Sequence, residues 1–168
     1  MYHAIVARRT AAVFSALNGK DAGPLLRGMR PDAVHAMNGD HALGGARCRP
    51  ETVRAWYDRL FQLFPDLRFT VDAINVTGWP WRTTVVVQWR DQALAGGYAN
   101  QGVNVVDLAW GRIRGIRIHC DTARLATALA GQAERGVAGA AAEQLTDQLT
   151  AAQLTRTGGI ATAPVIGS

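Results

Sequence analysis

The length, composition and charge of this sequence fit one small globular domain. Its 168 residues are 48% hydrophobic, which is enough to bury a core without disulfides or a structural metal. No apolar run is long enough to cross a bilayer, and Arg8 and Arg9 interrupt the N-terminal stretch where a secretory signal needs continuous apolar residues. We therefore expect a soluble protein of the cytoplasm that does not engage membranes.

The basic charge does not predict a nucleic-acid partner. The net charge is +5, but the arginines are scattered instead of forming the stripe that binds phosphates, and Lys20 is the sole lysine among 18 basic residues. Cys48 and Cys120 lie far apart and form no C-x-x-C motif, so we expect two reduced thiols. The sequence contains neither a clustered histidine and cysteine set nor a phosphate-binding glycine loop, so we expect no cofactor and no metal.

The first part of the chain is predicted to be mainly helical. Residues 3–17 have the apolar spacing of a helix, and a second short helix is predicted over 24–29. Residues 33–37 favour a brief strand, and a loop rich in glycine and polar groups follows over 38–45. A third helix begins at Pro50 and stops before Pro65. Its apolar face consists of Val53, Trp56, Tyr57, Leu60 and Phe64.

The pattern then changes to strands separated by turn signals. Four strands are predicted over residues 67–76, 83–91, 98–110 and 112–121. Three helices followed by a meander of strands predict an α+β fold, in which a curved, mixed or mostly antiparallel β-sheet carries the helices on one face. Such a sheet forms a cone that is open at one end.

The C-terminal part differs in composition from the rest. We place a domain boundary at residue 130, because residues 131–168 are rich in alanine, glycine, glutamine and threonine. Leu145, Leu149 and Leu154 could line a short amphipathic helix within 138–154, and residues 158–168 have the composition of a flexible tail. This segment is either dispensable for chemistry, or packs on a partner subunit or over the pocket mouth.

Several motifs together resemble one known family. They are residues 39–45 before the Pro50 helix, residues 100–105, Trp110-Gly111-Arg112-Ile113, and residues 118–122. Over residues 1–130 the chain resembles the SnoaL-like polyketide cyclase branch of the nuclear transport factor 2 superfamily, which includes ketosteroid isomerase. The resemblance implies a cone that holds a small hydrophobic ligand, and a homodimer.

The resemblance also assigns candidate catalytic positions. The ketosteroid isomerase base falls at Asp40, and its oxyanion-binding acid falls near Asn104, which can donate a hydrogen bond through its amide. The isomerase tyrosine falls near Val13, and the last-strand aspartate of the cyclases and epoxide hydrolases falls at Ile118. Neither residue can perform that chemistry.

The epoxide hydrolase motif is only partly kept. Its arginine falls at Trp89 and its neighbouring aspartate at Asp91. One of the three charged residues of that enzyme is therefore retained at best.

The chemistry of the side chains is a separate argument about the candidate catalytic residues. Asp40 and His41 are adjacent, and a carboxylate beside an imidazole can transfer protons near neutral pH. The alternative is that Asp40 braces the loop while His41 packs or is solvated. Alternation along the third strand places Asn100 and Asn104 on one face, where a buried amide needs a ligand or a side-chain partner.

Aromatic residues are predicted to form the pocket wall. Alternation puts Trp89 and Asp91 on the same face of the second strand as Val85 and Val87. His119 and Asp121 are expected to face outward, with Asp121 capping a helix over 123–129. The candidate substrate-binding residues are Trp56, Tyr57, Phe61, Trp89, Asp91, Tyr98 and Asn100.

Three functions are compatible with these residues. The first is a cofactor-independent isomerase or cyclase acting on a polyketide-like or terpenoid-like molecule, in which Asp40 or His41 moves a proton and Asn104 holds the oxyanion. The second is a noncatalytic ligand-binding or assembly module with the same fold. The third is an epoxide hydrolase.

Overall fold

The computed structural model of the chain describes residues 1–160. The predicted helices and strands occur in the expected order, and a short strand that was not predicted lies before the third helix. The helices are α1 (Tyr2–Asn18), α2 (Gly23–Gly28), α3 (Pro50–Leu63), α4 (Thr122–Glu134) and α5 (Ala151–Leu154). The strands are β1 (Met29–Met37), β2 (Gly45–Arg47), β3 (Arg68–Trp79), β4 (Arg82–Ala93), β5 (Tyr98–Ala109) and β6 (Arg112–Cys120).

All six strands form one sheet in the order β2-β1-β6-β5-β4-β3. The pairing of β1 with β6 is parallel and the other four pairings are antiparallel, which confirms the mixed α+β architecture. One unpaired residue in β3, Asp72, and one in β6, Arg114, shift the register and mark bulges at which these strands bend. Helices α1 to α4 cover one face of the sheet, and the main core lies between them and the strands. Helix α5 packs on the other face, against β1.

The alternation of β4 and the apolar stripe of α3 explain how this core forms. Val85, Val87 and Trp89 of β4 are buried, while the side chains between them are more exposed. Trp56 and Tyr57 of α3 are buried against them. The predicted apolar face of α3 and the predicted inner face of β4 are therefore confirmed.

The residues after α4 do not form the expected helix over 138–154. Within that range only Ala151–Leu154 is helical, and α4 itself continues past residue 130 to Glu134. Residues 143–149 instead run along β2 and α3, with Leu149 buried against the outer side of β1. Of the predicted flexible tail, Ile160 is buried, and residues 161–168 lie outside the described residues.

Asp147 is the main anchor of this segment. Its carboxylate accepts hydrogen bonds from the backbone N–H groups of Cys48 and Arg49, both at 2.8 Å, and from the Thr52 hydroxyl at 2.8 Å. The Arg49 side chain donates a further bond at 2.7 Å. Arg49, the N-cap residue of α3, makes no capping bond with its side chain. Asp147 instead holds the backbone just before the helix and places negative charge at its N-terminus, from about a hundred residues away.

Within residues 1–160, no helix is long and apolar enough to cross a membrane.

Candidate active site

A small cavity lies between the helices and the inner face of the sheet. Its volume is about 40 Å³, and α1, α3, α4 and strands β4 to β6 contribute to its wall. Most of the lining is apolar, and the polar groups are confined to a few side chains. These are Tyr57, Asp91, Tyr98, Asn104 and Cys120.

A larger apolar groove lies next to this cavity. It has a volume of about 320 Å³ and runs between α1, α2 and strands β5 and β6. Phe14, Leu17 and Asn104 line both spaces, so these three side chains separate the groove from the cavity. A ligand in the groove would reach the inner cavity by displacing Phe14 or Leu17.

Strand register brings three polar residues to one corner of the cavity. Asp91 of β4 is paired directly with Asn100 of β5, and Tyr98 lies two residues before Asn100 on the same face. The Asn100 amide donates to the Tyr98 hydroxyl at 3.0 Å and to the Asp121 carbonyl at 3.0 Å. Because the Tyr98 oxygen accepts this bond, its own proton is free to be donated into the cavity.

Asp91 is an unusual carboxylate. Only 8% of the residue is exposed, and its Oδ1 is buried without a hydrogen-bond partner among the described residues. Burial raises the pKa of Asp91 to about 6, against the opposing effect of hydrogen bonds from the backbone of Asn100 and of Asp91 itself. Asp91 is thus mostly ionised at neutral pH, yet basic enough to accept a proton.

The neighbours of Asp91 keep their protons. Burial, and then the nearby Asp91 carboxylate, raise the pKa of the Tyr98 phenol above its ordinary value. The same two causes, in the same order, raise the pKa of the Cys120 thiol to about 12. This corner therefore combines one carboxylate base with a neutral phenol donor.

Asn104 faces inward and lines the cavity. The Trp89 indole N–H donates to the side-chain oxygen of Asn104 at 2.9 Å, which fixes the orientation of the amide. The Asn104 NH₂ group donates to none of the described residues and lies where cavity and groove meet. It can therefore donate a hydrogen bond to a ligand oxygen.

Asp40 and His41 do not join this cavity. They line a surface depression of about 390 Å³ beside α4 and residues 140–144, where Asp40 is exposed. The His41 ring folds back on its own loop, and its Nδ1 accepts the Leu43 N–H at 3.3 Å. Burial lowers the pKa of His41. The expected grouping of Asp40 and His41 with Asn104 is therefore wrong: these two side chains face the depression beside α4, and Leu43 is the loop residue that lines the cavity.

The predicted aromatic wall is largely present. Trp56, Tyr57, Trp89 and Tyr98 line the cavity. The Trp56 indole donates to the Leu43 carbonyl at 2.7 Å, so its polar atom is already satisfied and the ring acts as an apolar surface. Two of the predicted substrate-binding residues do not line the cavity. Phe61 is half-buried elsewhere, and Asn100 lies behind Tyr98.

The remaining positions also follow strand alternation. Val13 lines the groove and Ile118 lines the cavity, so apolar side chains occupy the places where the resemblance expects catalytic groups. His119 and Asp121 line a depression on the outer face of the sheet, and Asp121 caps α4 by accepting the Arg124 N–H at 3.0 Å. The described part of the chain has no group of side chains arranged to hold a metal ion.

Solved structures with the same fold are numerous. A SnoaL-like polyketide cyclase candidate from Jannaschia has 21% identity and a TM-score of 0.55, over 73% of this chain and 90% of that one. IdmH of Streptomyces antibioticus, a polyketide cyclase candidate, has 18% identity and a TM-score of 0.55, over 74% and 98%. An NTF2-like protein of unknown function from Burkholderia pseudomallei has 21% identity and a TM-score of 0.59, over 73% and 95%.

At these identities the neighbours establish the fold and leave the reaction open. No curated protein sequence matches this chain significantly. Residues 10–116 match the sequence pattern of the SnoaL-like domain, which is more than half of the chain. Together with the fold, this match shows that the protein belongs to the SnoaL-like domain family.

Proposed function

We propose that this protein is a cofactor-independent isomerase or cyclase that moves a proton on a small apolar carbonyl compound. The observation that carries the proposal is the buried carboxylate of Asp91, which has an unpartnered oxygen in an otherwise apolar cavity. A buried carboxylate with one oxygen left unpaired is expensive, and such groups are typical of catalytic acids and bases.

Asp91 and Tyr98 supply complementary chemistry. The Asp91 carboxylate removes a proton from the carbon next to the carbonyl group and returns it at another position. The Tyr98 hydroxyl donates a hydrogen bond to the carbonyl oxygen as negative charge develops there. Asn100 orients this hydroxyl by donating to its oxygen.

Asn104 takes a different part from the one expected from the sequence. Asp91 pairs with Asn100, and Asn104 lies four residues further along β5, about 13 Å away at the spacing of a strand. This spacing along the strand favours different parts of the ligand as the partners of the two side chains. Asn104 therefore holds a second oxygen of the ligand, while the Trp89 ring supports the apolar part between them.

The experiment follows proton abstraction directly. Acetylnaphthalene, a flat apolar ketone, is incubated with the protein in deuterium oxide, and exchange of its methyl protons is measured by NMR. Asp91→Asn should slow exchange by about 10²- to 10⁴-fold, and Tyr98→Phe by about 10²- to 10³-fold. Asp58→Asn, at an exposed carboxylate on α3, is the matched control and should exchange as wild type does.

Two results would contradict this assignment. Unchanged exchange in Asp91→Asn would remove Asp91 as the base. Loss of exchange in Asp40→Asn or His41→Ala, with Asp91→Asn unaffected, would place the base in the loop after β1.

A noncatalytic ligand carrier is the second candidate. It is favoured by the volumes, since the apolar groove of about 320 Å³ can take a ligand whereas the inner cavity of about 40 Å³ cannot without movement of its wall. A ligand that binds tightly and is recovered without any exchange would support this function. The homodimer expected from the family resemblance stays a prediction, which light scattering would check.

A further inference from the structure

Three tryptophans are exposed together at one end of the sheet. Trp79 is 68% exposed, Trp81 53% and Trp110 71%. Trp79 and Trp81 belong to the β3–β4 hairpin, and Trp110 lies in the turn between β5 and β6. We call these three residues the tryptophan patch. Single exposed apolar residues are ordinary, but a contiguous aromatic surface marks an interaction site.

The patch is a fixed surface. The rings of Trp79 and Trp81 stack with centroids 5.5 Å apart, and Trp110 is 6.1 Å from Trp81. The two turns are joined directly, because the Trp110 backbone N–H donates to the Pro80 carbonyl at 2.6 Å. The three indoles are therefore presented as one unit.

Trp110 occupies a position that normally takes another residue type. Its φ is 52° and that of Gly111 is 72°, the left-handed pair found in two-residue hairpin turns that favour asparagine and glycine. A bulky residue in this conformation is strained. Folding alone would select a smaller side chain, so the exposed indole is better explained by an interaction.

Arginines surround the patch. Arg82 is paired with Trp79 in the β3–β4 register, Arg112 follows the β5–β6 turn, and the Arg9 guanidinium lies beside Gly111. All three residues are exposed, and none forms an ion pair within residues 1–160. The surface therefore combines indole rings with uncompensated positive charge.

We propose that the tryptophan patch docks the protein on an anionic phospholipid surface. Indole rings favour the interface between headgroups and acyl chains, and arginines near them are attracted to anionic lipids. A second copy of the chain fits less well, because a two-fold contact would bring the arginines of both copies together. This proposal replaces the sequence-based expectation that the protein does not engage membranes.

The tryptophan patch lies beside the opening of the apolar groove. Gly111 and Arg9 line the end of the apolar groove, so the groove begins beside Trp110. A docked molecule would present this opening to the bilayer, from which an apolar ligand can pass without crossing water. The docking itself does not depend on the proposed proton transfer, and its test needs no catalysis.

The test is sedimentation with vesicles. One set contains equal amounts of phosphatidylglycerol and phosphatidylcholine, and the other contains phosphatidylcholine alone. Wild type should sediment with the anionic vesicles only, and added salt should weaken the binding. Arg82→Glu should weaken binding at least about fivefold, the effect of one arginine at an anionic surface. Leu94→Ala, at an apolar side chain that is 77% exposed outside the patch, is the matched control.

Trp110→Asn distinguishes a loss of vesicle binding from a loss of folding. Asparagine suits the left-handed turn, so this variant should fold at least as well as wild type while losing vesicle binding. Failure of wild type to sediment, or equal sedimentation with both vesicle types, would overturn the proposal. So would a wild-type dimer that Trp110→Asn converts to a monomer, because the patch would then be a contact between copies.

Discussion

The indole N–H of Trp89 donates to the side-chain oxygen of Asn104 at 2.9 Å, across the paired strands β4 and β5. The Trp89 ring passes over Gly102, where a Cβ atom would come within 2.6 Å of the ring. Glycine at 102 therefore gives the indole room to reach Asn104. Phe69 supports the other side of the ring edge-on, with centroids 5.6 Å apart.

From this contact we expect Trp89 to strengthen ligand binding by holding the Asn104 amide in one orientation. Trp89→Phe keeps an aromatic wall but frees the Asn104 amide to rotate. A hydroxylated acetylnaphthalene offers Asn104 the second oxygen, and its binding should weaken by about tenfold, the value of one hydrogen bond. Titration of the ligand into each variant measures this change. Asn104→Leu should have a similar effect, and the double variant should be no worse than either single one. Additive losses would show that Trp89 contributes only as a packed ring.

Asp91 should make folding stability depend on pH. Its pKa is raised from 3.8 in the unfolded chain to about 6 in the fold, so the folded state binds the proton more tightly. Stability is therefore highest below pH 3.8 as far as this group is concerned, and falls as pH rises through about 6. A shift of about two units corresponds to about 3 kcal/mol.

Asp91→Asn removes this titration. The variant should be more stable than wild type by about 1 to 3 kcal/mol at pH 7, and similar to it near pH 4. Urea unfolding at both pH values measures the difference. If Asp91→Asn is destabilised equally at pH 4 and pH 7, the Asp91 side chain has a structural partner in the fold, and its burial is no argument for catalysis.

The sequence was sufficient for much of this fold because its strands have one buried face. Alternation grouped Trp89 with Asp91, and Asn100 with Asn104, and the structure shows that both groups face the inner side of the sheet. Helix α3 could be predicted from its apolar spacing and from Pro50. Local pattern and tertiary burial agree at these positions, so each prediction depended only on residues close in sequence.

The parts that could not be predicted depend on contacts between distant residues. The loop that holds Asp40 and His41 is fixed partly by Gln144, whose amide donates to the Gly39 carbonyl at 3.2 Å. The leucine spacing over 138–154 suggested a helix, but Asp147 is drawn to the start of α3 instead. Likewise, alternation indicated which way Asp91 points, whereas its raised pKa depends on burial by several elements.

Asp147 should contribute strongly to stability, although it lies in a segment of simple composition. Asp147→Ala leaves the N–H groups of Cys48 and Arg49, just before α3, and the Thr52 hydroxyl without their acceptor. It should lower the free energy of unfolding by about 2 kcal/mol. Gln148→Ala, next to it and exposed, is the control and should change stability by less than about 0.5 kcal/mol. Thermal and urea unfolding provide the measurement. Equal stability of the two variants would show that the segment after α4 does not hold α3 in place.

Phe14 should control passage between the groove and the inner cavity. It lines both spaces and is 6% exposed, with its ring edge-on to Phe69 at 5.8 Å between centroids. Phe14→Ala should join the two volumes at a loss of about 3 to 5 kcal/mol in stability. The variant should bind acetylnaphthalene more tightly and exchange its methyl protons faster, because the ketone can then reach Asp91 without moving a side chain.

Phe14→Leu is the matched control for this prediction. It keeps an apolar side chain between the two spaces, so ligand binding should stay close to that of wild type while part of the stability is lost. If both variants bind the ketone as wild type does, the ligand does not pass Phe14, and entry to the cavity must lie elsewhere. If Phe14→Ala binds more tightly but its exchange rate is unchanged, the ligand stays in the groove, where Asn104 can reach it and Asp91 cannot.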